Sequence, residues 1–270
     1  MLAMMAMLPA FAVTKAPTEL KVMSFNIRNS SANDGTNSWE YRAPSCGMMI
    51  GEEVPDVIGI QETLEPQVKY LEYVFENYKL LGVGREDGRE KGEKMIVMYN
   101  TKTLKLLKWG TYWLSETPDE PSKGWDAACY RTATWALFRE KETGKKFYFV
   151  NTHLDHMGQE AQRNGIKVIE ERVAAMNVEG LPMLVVGDFN MYPENPNLDV
   201  IRATMQDART TAVVTDSTPS FHGWGKKAEM IDYIWYKGFS SCTEFRTVTK
   251  KYNQRAFVSD HRPITAKFVF

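Results

Sequence analysis

Asn26, Glu62, His153, Asp188, Asn190, Asp232 and the pair Asp260-His261 all stand where short apolar runs begin or end. Asn26 lies at the close of LKVMSFNI, Glu62 follows VIGIQ, and His153 closes FYFVNTH. Asp188 and Asn190 follow MLVVG, Asp232 falls in IDYIW, and Asp260-His261 precedes the last run. Carboxylates, amides and imidazoles hydrogen-bond, bind hard cations and move protons. Side chains at strand ends leave the core while their backbone stays rigid, which is where open sheets build ligand sites. They are expected to share one cleft. Taken singly, each has an ordinary structural reading: Asp188 and Asn190 as turn residues, Glu62 as a helix-start charge before Leu64 to Phe75, and Asp260-Arg262 as a surface ion pair. Their combination and order argue for chemistry.

Short strands must carry these groups. Leu20 to Ile27 and Val57 to Gln61 read as buried strands, and a helical stretch around Ser45 to Glu53 between them makes a βαβ unit with a parallel pair. Tyr78 to Val83, Met95 to Asn100, Leu104 to Tyr112, Ala133 to Phe138 and Phe147 to His153 read as hairpin strands separated by turns. Gln159 to Met176 is an amphipathic helix, with Ile166, Ile169, Val173 and Met176 recurring at three- and four-residue spacing, and Met183 to Val186 opens another strand. Mixed sheets with covering helices follow. There is no repeat at fixed period and no long Pro, Gly or Ser linker, so residues 18–270 are expected to form one catalytic domain.

Composition narrows the partners. With 33 Lys plus Arg against 34 Asp plus Glu, the formal charge is -1, so no global positive field draws the chain to nucleic acid or anionic membrane. The basic doublets Lys145-Lys146, Lys226-Lys227 and Lys250-Lys251 are scattered, and Arg85 to Lys94 mixes both signs as a solvated segment would. Residues 1–13 are uncharged and apolar, too short for a span, and run into Ala10-Phe11-Ala12; they are expected to be a signal peptide, and the protein exported to the periplasm or beyond. Cys46, Cys129 and Cys242 lack metal-type spacing.

Six segments stand in a telling order: Ser24-Phe25-Asn26-Ile27-Arg28, Ile60-Gln61-Glu62-Thr63, the stretch from Val150 to His156, Val186-Gly187-Asp188-Phe189-Asn190, Ile231-Asp232-Tyr233-Ile234 and Val258-Ser259-Asp260-His261-Arg262-Pro263. In these the chain resembles the endonuclease/exonuclease/phosphatase superfamily, the fold group of DNase I, from about residue 20 to its end. The resemblance implies an α/β fold: a four-layer α-β-β-α sandwich of two packed mixed sheets flanked by helices, with the site in a groove at one edge.

It also implies roles. Glu62 becomes the principal metal carboxylate, with Asn26 and Asp260 close to the metal, and hard oxygen donors of this kind suit Mg²⁺ or Mn²⁺. Asp188 and Asn190 position and deprotonate the attacking water or support a second metal. His261 with Asp232 resembles a His-Asp dyad facing the scissile phosphate, as base or as electrostatic clamp, and His153 a second phosphate contact. Arg28 and Arg131, with Arg163, are candidate substrate-phosphate ligands; Trp113, Trp125, Trp135 and Trp224 are candidates for a stacking wall or for the core. The loop Leu114 to Tyr130 is placed to shape the pocket.

A binuclear zinc site is the competing metal reading of His153-Leu154-Asp155-His156, but position 151 is Asn and the chain has 4 histidines. Asp155 and His156 are left as helix caps or cleft rim. The expected activity is divalent-metal-dependent hydrolysis of a phosphoric ester: a nuclease or other phosphodiesterase, or a phosphatase of a small sugar, inositol or lipid-headgroup phosphate. Charge balance favours a small-molecule substrate or a short nucleic acid. A noncatalytic binding module would be expected to lack a metal or dyad residue, and none is missing.

Overall fold

The structure is a computed structural model and describes residues 18–270; the apolar run 1–13 lies outside the described residues. In chain order the strands are β1 (Glu19–Asn26), β2 (Val57–Thr63), β3 (Tyr78–Leu81), β4 (Lys94–Asn100), β5 (Leu104–Trp113), β6 (Thr132–Glu140), β7 (Lys146–His153), β8 (Met183–Asp188), β9 (Gln206–Asp207), β10 (Asp232–Lys237), β11 (Ser241–Thr247) and β12 (Ile264–Val269). The long helices are α1 (Trp39–Glu53), α2 (Glu65–Val74) and α3 (Gln159–Met176). No helix of the described residues is long and apolar enough to cross a membrane.

Two six-stranded mixed sheets result, ordered β11-β12-β1-β2-β4-β3 and β5-β6-β7-β8-β10-β9. Each contains one parallel pair joined through a helix: β1 and β2 through α1, β7 and β8 through α3. The run Leu20 to Phe25 is apolar but for Lys21 and Ser24 because both sheet faces are covered. Leu20 and Val22 point between the sheets to meet Phe138, Phe149, Val186 and Ile234, while Met23 and Phe25 point outward beneath α1 and α2 with Ile50 and Leu71. Across the other sheet, Ile166, Ile169 and Val173 of α3 cover Val150, Val185 and Trp235. Helix, sheet, sheet, helix is therefore the layering, as the family resemblance implies.

Three elements differ from the sequence reading. The first helix begins at Trp39, ahead of the expected Ser45, and carries Pro44 in its second turn, a position where proline is ordinarily unfavourable. The strand β11 was hidden because its burial alternates weakly at a sheet edge. The chain from β4 to β5 is no hairpin: β4 pairs with β2 and β3, whereas β5 opens the second sheet.

The sheets meet across a buried polar seam. Gln61 donates to Asn151 Oδ1 at 2.7 Å, and Asn151 Nδ2 donates to the carbonyls of Ile60 (3.0 Å) and Ile96 (2.8 Å). Gly59 permits the approach, since a Cβ there would stand 2.4 Å from Val186 Cγ2. Buried amides that must be satisfied fix which strand faces which, so the carboxyl ends of β1 and β2 lie opposite those of β7 and β8.

Candidate active site

Register brings the site residues together. In the second sheet His153 pairs with Asp188 across the parallel β7–β8 ladder, and Asp188 pairs with Asp232 across the antiparallel β8–β10 ladder. In the first, Asn26 is level with Gln61, one residue before Glu62. The β2–β4 ladder then slips between Ile60 and Thr63, a bulge that re-aims Glu62. Glu62, Arg28 and Asn190 all adopt left-handed backbone, with φ of 61°, 57° and 52°. Such conformations are unfavourable for most side chains and persist where surrounding bonds hold them.

Those bonds are present. Asn26 Nδ2 donates to Glu62 Oε1 and to Asp188 Oδ2, both at 3.0 Å, while its Oδ1 accepts from Arg28 N–H at 3.0 Å. Glu62 Oε2 accepts from the backbone and side-chain nitrogens of Asn29 at 3.1 and 3.2 Å. Asn190 N–H donates to Asp188 Oδ1 at 2.9 Å, and Asn190 Nδ2 donates to the Leu154 carbonyl at 2.9 Å. Ser259 donates to the Asn26 carbonyl at 2.7 Å, docking the Asp260-His261 segment on the end of β1. Gly187 is required beside Asp188: its φ is +152° and a Cβ would meet the Thr152 carbonyl at 2.0 Å.

Buried Arg42 of α1 holds the two loops behind the site. It donates to the carbonyls of Ile27 (2.5 Å), Arg28 (2.5 Å) and Val258 (3.1 Å) and, through Nε, Asn37 (3.0 Å). Trp39 and Trp224 flank its guanidinium at 5.1 and 5.9 Å.

These elements enclose a cavity of about 420 Å³. Glu62, Asp188, Asp260, Asn190, His153, His261, Arg28 and Arg131, all picked out by sequence, line it. Asn26 and Asp232 stand behind the lining residues and touch them. Arg163 is exposed on α3 and outside the lining, and the tryptophans are outside it as well; Phe221, 4.7 Å from the His261 ring, is the cavity's aromatic wall. Sequence reasoning also missed Arg85 and Glu93. They pair at 2.5 Å, are mostly buried and line the cavity, although their segment reads as solvated. The spacing of opposite charges within that segment was the signal available.

Electrostatics divide the ionisable groups. His261 Nδ1 lies 2.9 Å from Asp232 Oδ2, and His261 Nε2 lies 3.7 Å from Asp188 Oδ2. Burial works against the His261 charge, but Asp232, with Asp188 and Asp260, more than offsets it and holds the imidazolium well above the usual range. His153 Nε2 is 3.5 Å from Asp188 Oδ2, yet burial and the Arg131 charge push its pKa well below the usual range. Burial and the Asp232 charge push Asp188 up. For Glu62 burial raises the pKa, but the Asn26 hydrogen bond, the His261 charge and the Asn29 N–H outweigh it and leave the carboxylate below its ordinary value.

The donor set suits a divalent cation. Burial pushes Asp260 and Glu93 up, the His261 charge opposes this at Asp260, and the Glu62 charge adds to both, so three carboxylates of the lining feel one another. Asp188, Asp232 and His261 also present ligand-type atoms within 4.8 Å of one another, two of them joined by the Nδ1–Oδ2 hydrogen bond of the dyad.

The arrangement has relatives. The sequence profile of the endonuclease/exonuclease/phosphatase family matches residues 23–261. A family protein from Bacteroides vulgatus is 34% identical, with a TM-score of 0.88 over 93% of this chain and 98% of that one. The mannosyl-6-phosphatase of Bacteroides thetaiotaomicron is 30% identical, with a TM-score of 0.88 over 93% of this chain and 100% of the other. The human Nocturnin catalytic domain shares the fold at 19% identity and a TM-score of 0.73, over 94% of each chain. Because the family profile matches residues 23–261, nearly all the described residues, the chain belongs to the endonuclease/exonuclease/phosphatase family of phosphoric-ester hydrolases.

Proposed function

We propose that the protein is a divalent-metal-dependent phosphatase that hydrolyses the monoester of a small sugar phosphate. The observation that carries this reading is the size and charge of the cavity: about 420 Å³, with Arg28, Arg85, Arg131 and Lys227 around its carboxylates. That volume is at the small end for ligand pockets and suits a compact substrate with one phosphate. The 30% identity to a mannosyl-6-phosphatase supports the same class.

In this reading Glu62 and Asp260 hold Mg²⁺ or Mn²⁺, with Asn26 keeping Glu62 in place through its amide. A cation bound there supplies positive charge to the phosphoryl oxygens. His261, kept protonated by Asp232, donates to a phosphoryl oxygen as charge builds in the transition state, which favours the clamp over the base. Asp188, its carboxylate aimed by Asn190 N–H and its basicity raised by burial, takes the proton of the attacking water. His153 and the Arg131 guanidinium contact the phosphate. Export remains part of the proposal, resting on the apolar run 1–13.

The test is turnover of hexose 6-phosphates, inositol phosphates, a bis-ester and short oligonucleotides with Mg²⁺ against an EDTA control. Preferential release of phosphate from a sugar monoester supports the assignment. Turnover confined to diesters makes the protein a phosphodiesterase.

A further inference from the structure

Arg131, Asp155 and His156 form a chain of hydrogen bonds at the cavity, and elementary chemistry sets the direction of each. Asp155 Oδ1 accepts from the N–H groups of Ala128 (3.1 Å), Met157 (3.0 Å) and Gly158 (2.9 Å). Its Oδ2 accepts from Cys129 N–H and Arg131 Nε, both at 3.2 Å. A carboxylate has about four lone-pair sites, so Asp155 is saturated. The group Cys129, Asp155, His156, whose ligand-type atoms lie within 4.8 Å, therefore has no oxygen free for a metal. Asp155 instead ties the 114–130 loop to the turn after β7 and fixes the Arg131 guanidinium between them. Asp126 of the same loop accepts from Ala161 N–H at 2.8 Å and Glu160 N–H at 3.3 Å, fastening the loop to the start of α3.

The fixed guanidinium then orients a histidine. Arg131 Nη2 lies 3.0 Å from His156 Nδ1. A guanidinium can only donate, so His156 Nδ1 accepts and the ring carries its proton on Nε2. His156 is exposed and lines the cavity beside Arg131 and Cys129. The cavity thus holds an N–H donor that is neutral and preset, amid charged donors better matched to phosphate.

We propose that His156, positioned by Arg131 and Asp155, recognises the leaving group through a hydrogen bond from Nε2–H to a hydroxyl or ring oxygen of a sugar or other polyol. Phosphate oxygens go to the arginines and His261; the uncharged oxygens of the alcohol portion go to His156. This assignment rests on the sugar-phosphatase reading above.

The experiment compares kcat/KM for a hexose 6-phosphate and for p-nitrophenyl phosphate, whose leaving group bears no hydroxyls, in wild type, His156→Ala and His156→Gln. The ratio of sugar to aryl kcat/KM should fall about tenfold in His156→Ala, the size of one hydrogen bond between neutral groups. The Gln variant, whose amide also donates, should restore at least half of the lost discrimination. An unchanged ratio in His156→Ala, including an equal loss on both esters, overturns the leaving-group role while leaving the phosphatase reading intact. A wild-type enzyme that hydrolyses the aryl ester but no hexose phosphate overturns both.

Discussion

Asn26 Nδ2 reaches Asp188 Oδ2 at 3.0 Å from the opposite sheet, and the same nitrogen holds Glu62 Oε1 at 3.0 Å. One buried amide thus joins the proposed metal end of the site to the proposed water-activating end. Asn26→Ala removes one donor from buried Asp188 and one from half-buried Glu62, which keep their bonds from Asn190 and Asn29, a loss on the order of 1–3 kcal/mol in all. We expect a lower melting temperature, and turnover reduced on the order of 10² through misplacement of both carboxylates. Wild-type kcat in a folded Asn26→Ala protein would show that the bridge is idle.

Glu62→Gln replaces an anionic hard donor by a neutral near-isostere. Half-maximal activation should move to higher Mg²⁺ concentration, and the stabilisation by Mg²⁺ in a melting experiment should shrink. Wild-type activity at limiting Mg²⁺ would remove Glu62 from the metal site.

Asp188→Asn and His261→Ala should each lower kcat on the order of 10² or more, from lost water activation and lost phosphate stabilisation. A near-normal kcat in either variant rules out the mechanism.

The rate should depend on pH in a stated direction. His261 is held protonated chiefly by Asp232, against the pull of burial. The active form therefore persists until pH rises through the elevated His261 pKa. Asp232→Asn removes the charge, so the alkaline limb of the kcat profile should move to lower pH. An unmoved limb would mean that some other group governs it.

Away from the site, buried Glu53 joins three elements: Lys21 of β1 at 2.9 Å and Arg246 of β11 at 2.5 Å meet it at the end of α1. Burial raises its pKa, but Arg246 and Lys21 more than offset this and leave it below 4.5. The unfolded chain then takes up a proton more readily, so this stability is present in full above pH 4.5 and is lost as pH falls through the lower folded value. Glu53→Gln should cost about 1–2 kcal/mol at neutral pH, given partly exposed partners, and flatten the acid limb of a denaturation series. An identical acid limb in the variant would show that other carboxylates dominate it.

Much of the site was legible in the residues alone because apolar runs and the positions of their ends are local properties. The sequence alone determined that Asn26, Glu62, His153, Asp188 and Asp232 fall at strand ends and Asp260-His261 shortly before the last strand, since apolar runs must be buried and polar groups must leave the core. It also carried the first βαβ unit, because helix and strand patterns differ, whereas the parallel pairing of β7 with β8 through α3 came only with the structure. Tertiary structure decided the rest. Neither the pairing of His153 with Asp188 nor the crossing of Asn26 to Asp188 can be read along the chain, because register depends on partners up to 162 residues away. Glu62 reaches the cavity through a bulge and left-handed backbone, whose strain the bonds from Asn26 and Asn29 sustain. Arg85 and Glu93 read as surface charges, and became buried wall once β4 and the loop before it closed on the site. His156 read equally as cap or rim, and acquired a defined donor when Arg131, 25 residues away, docked on Nδ1. Local pattern sets which side chains leave the core; long-range packing, through the amides and carboxylates that must be satisfied when buried, sets which of them meet.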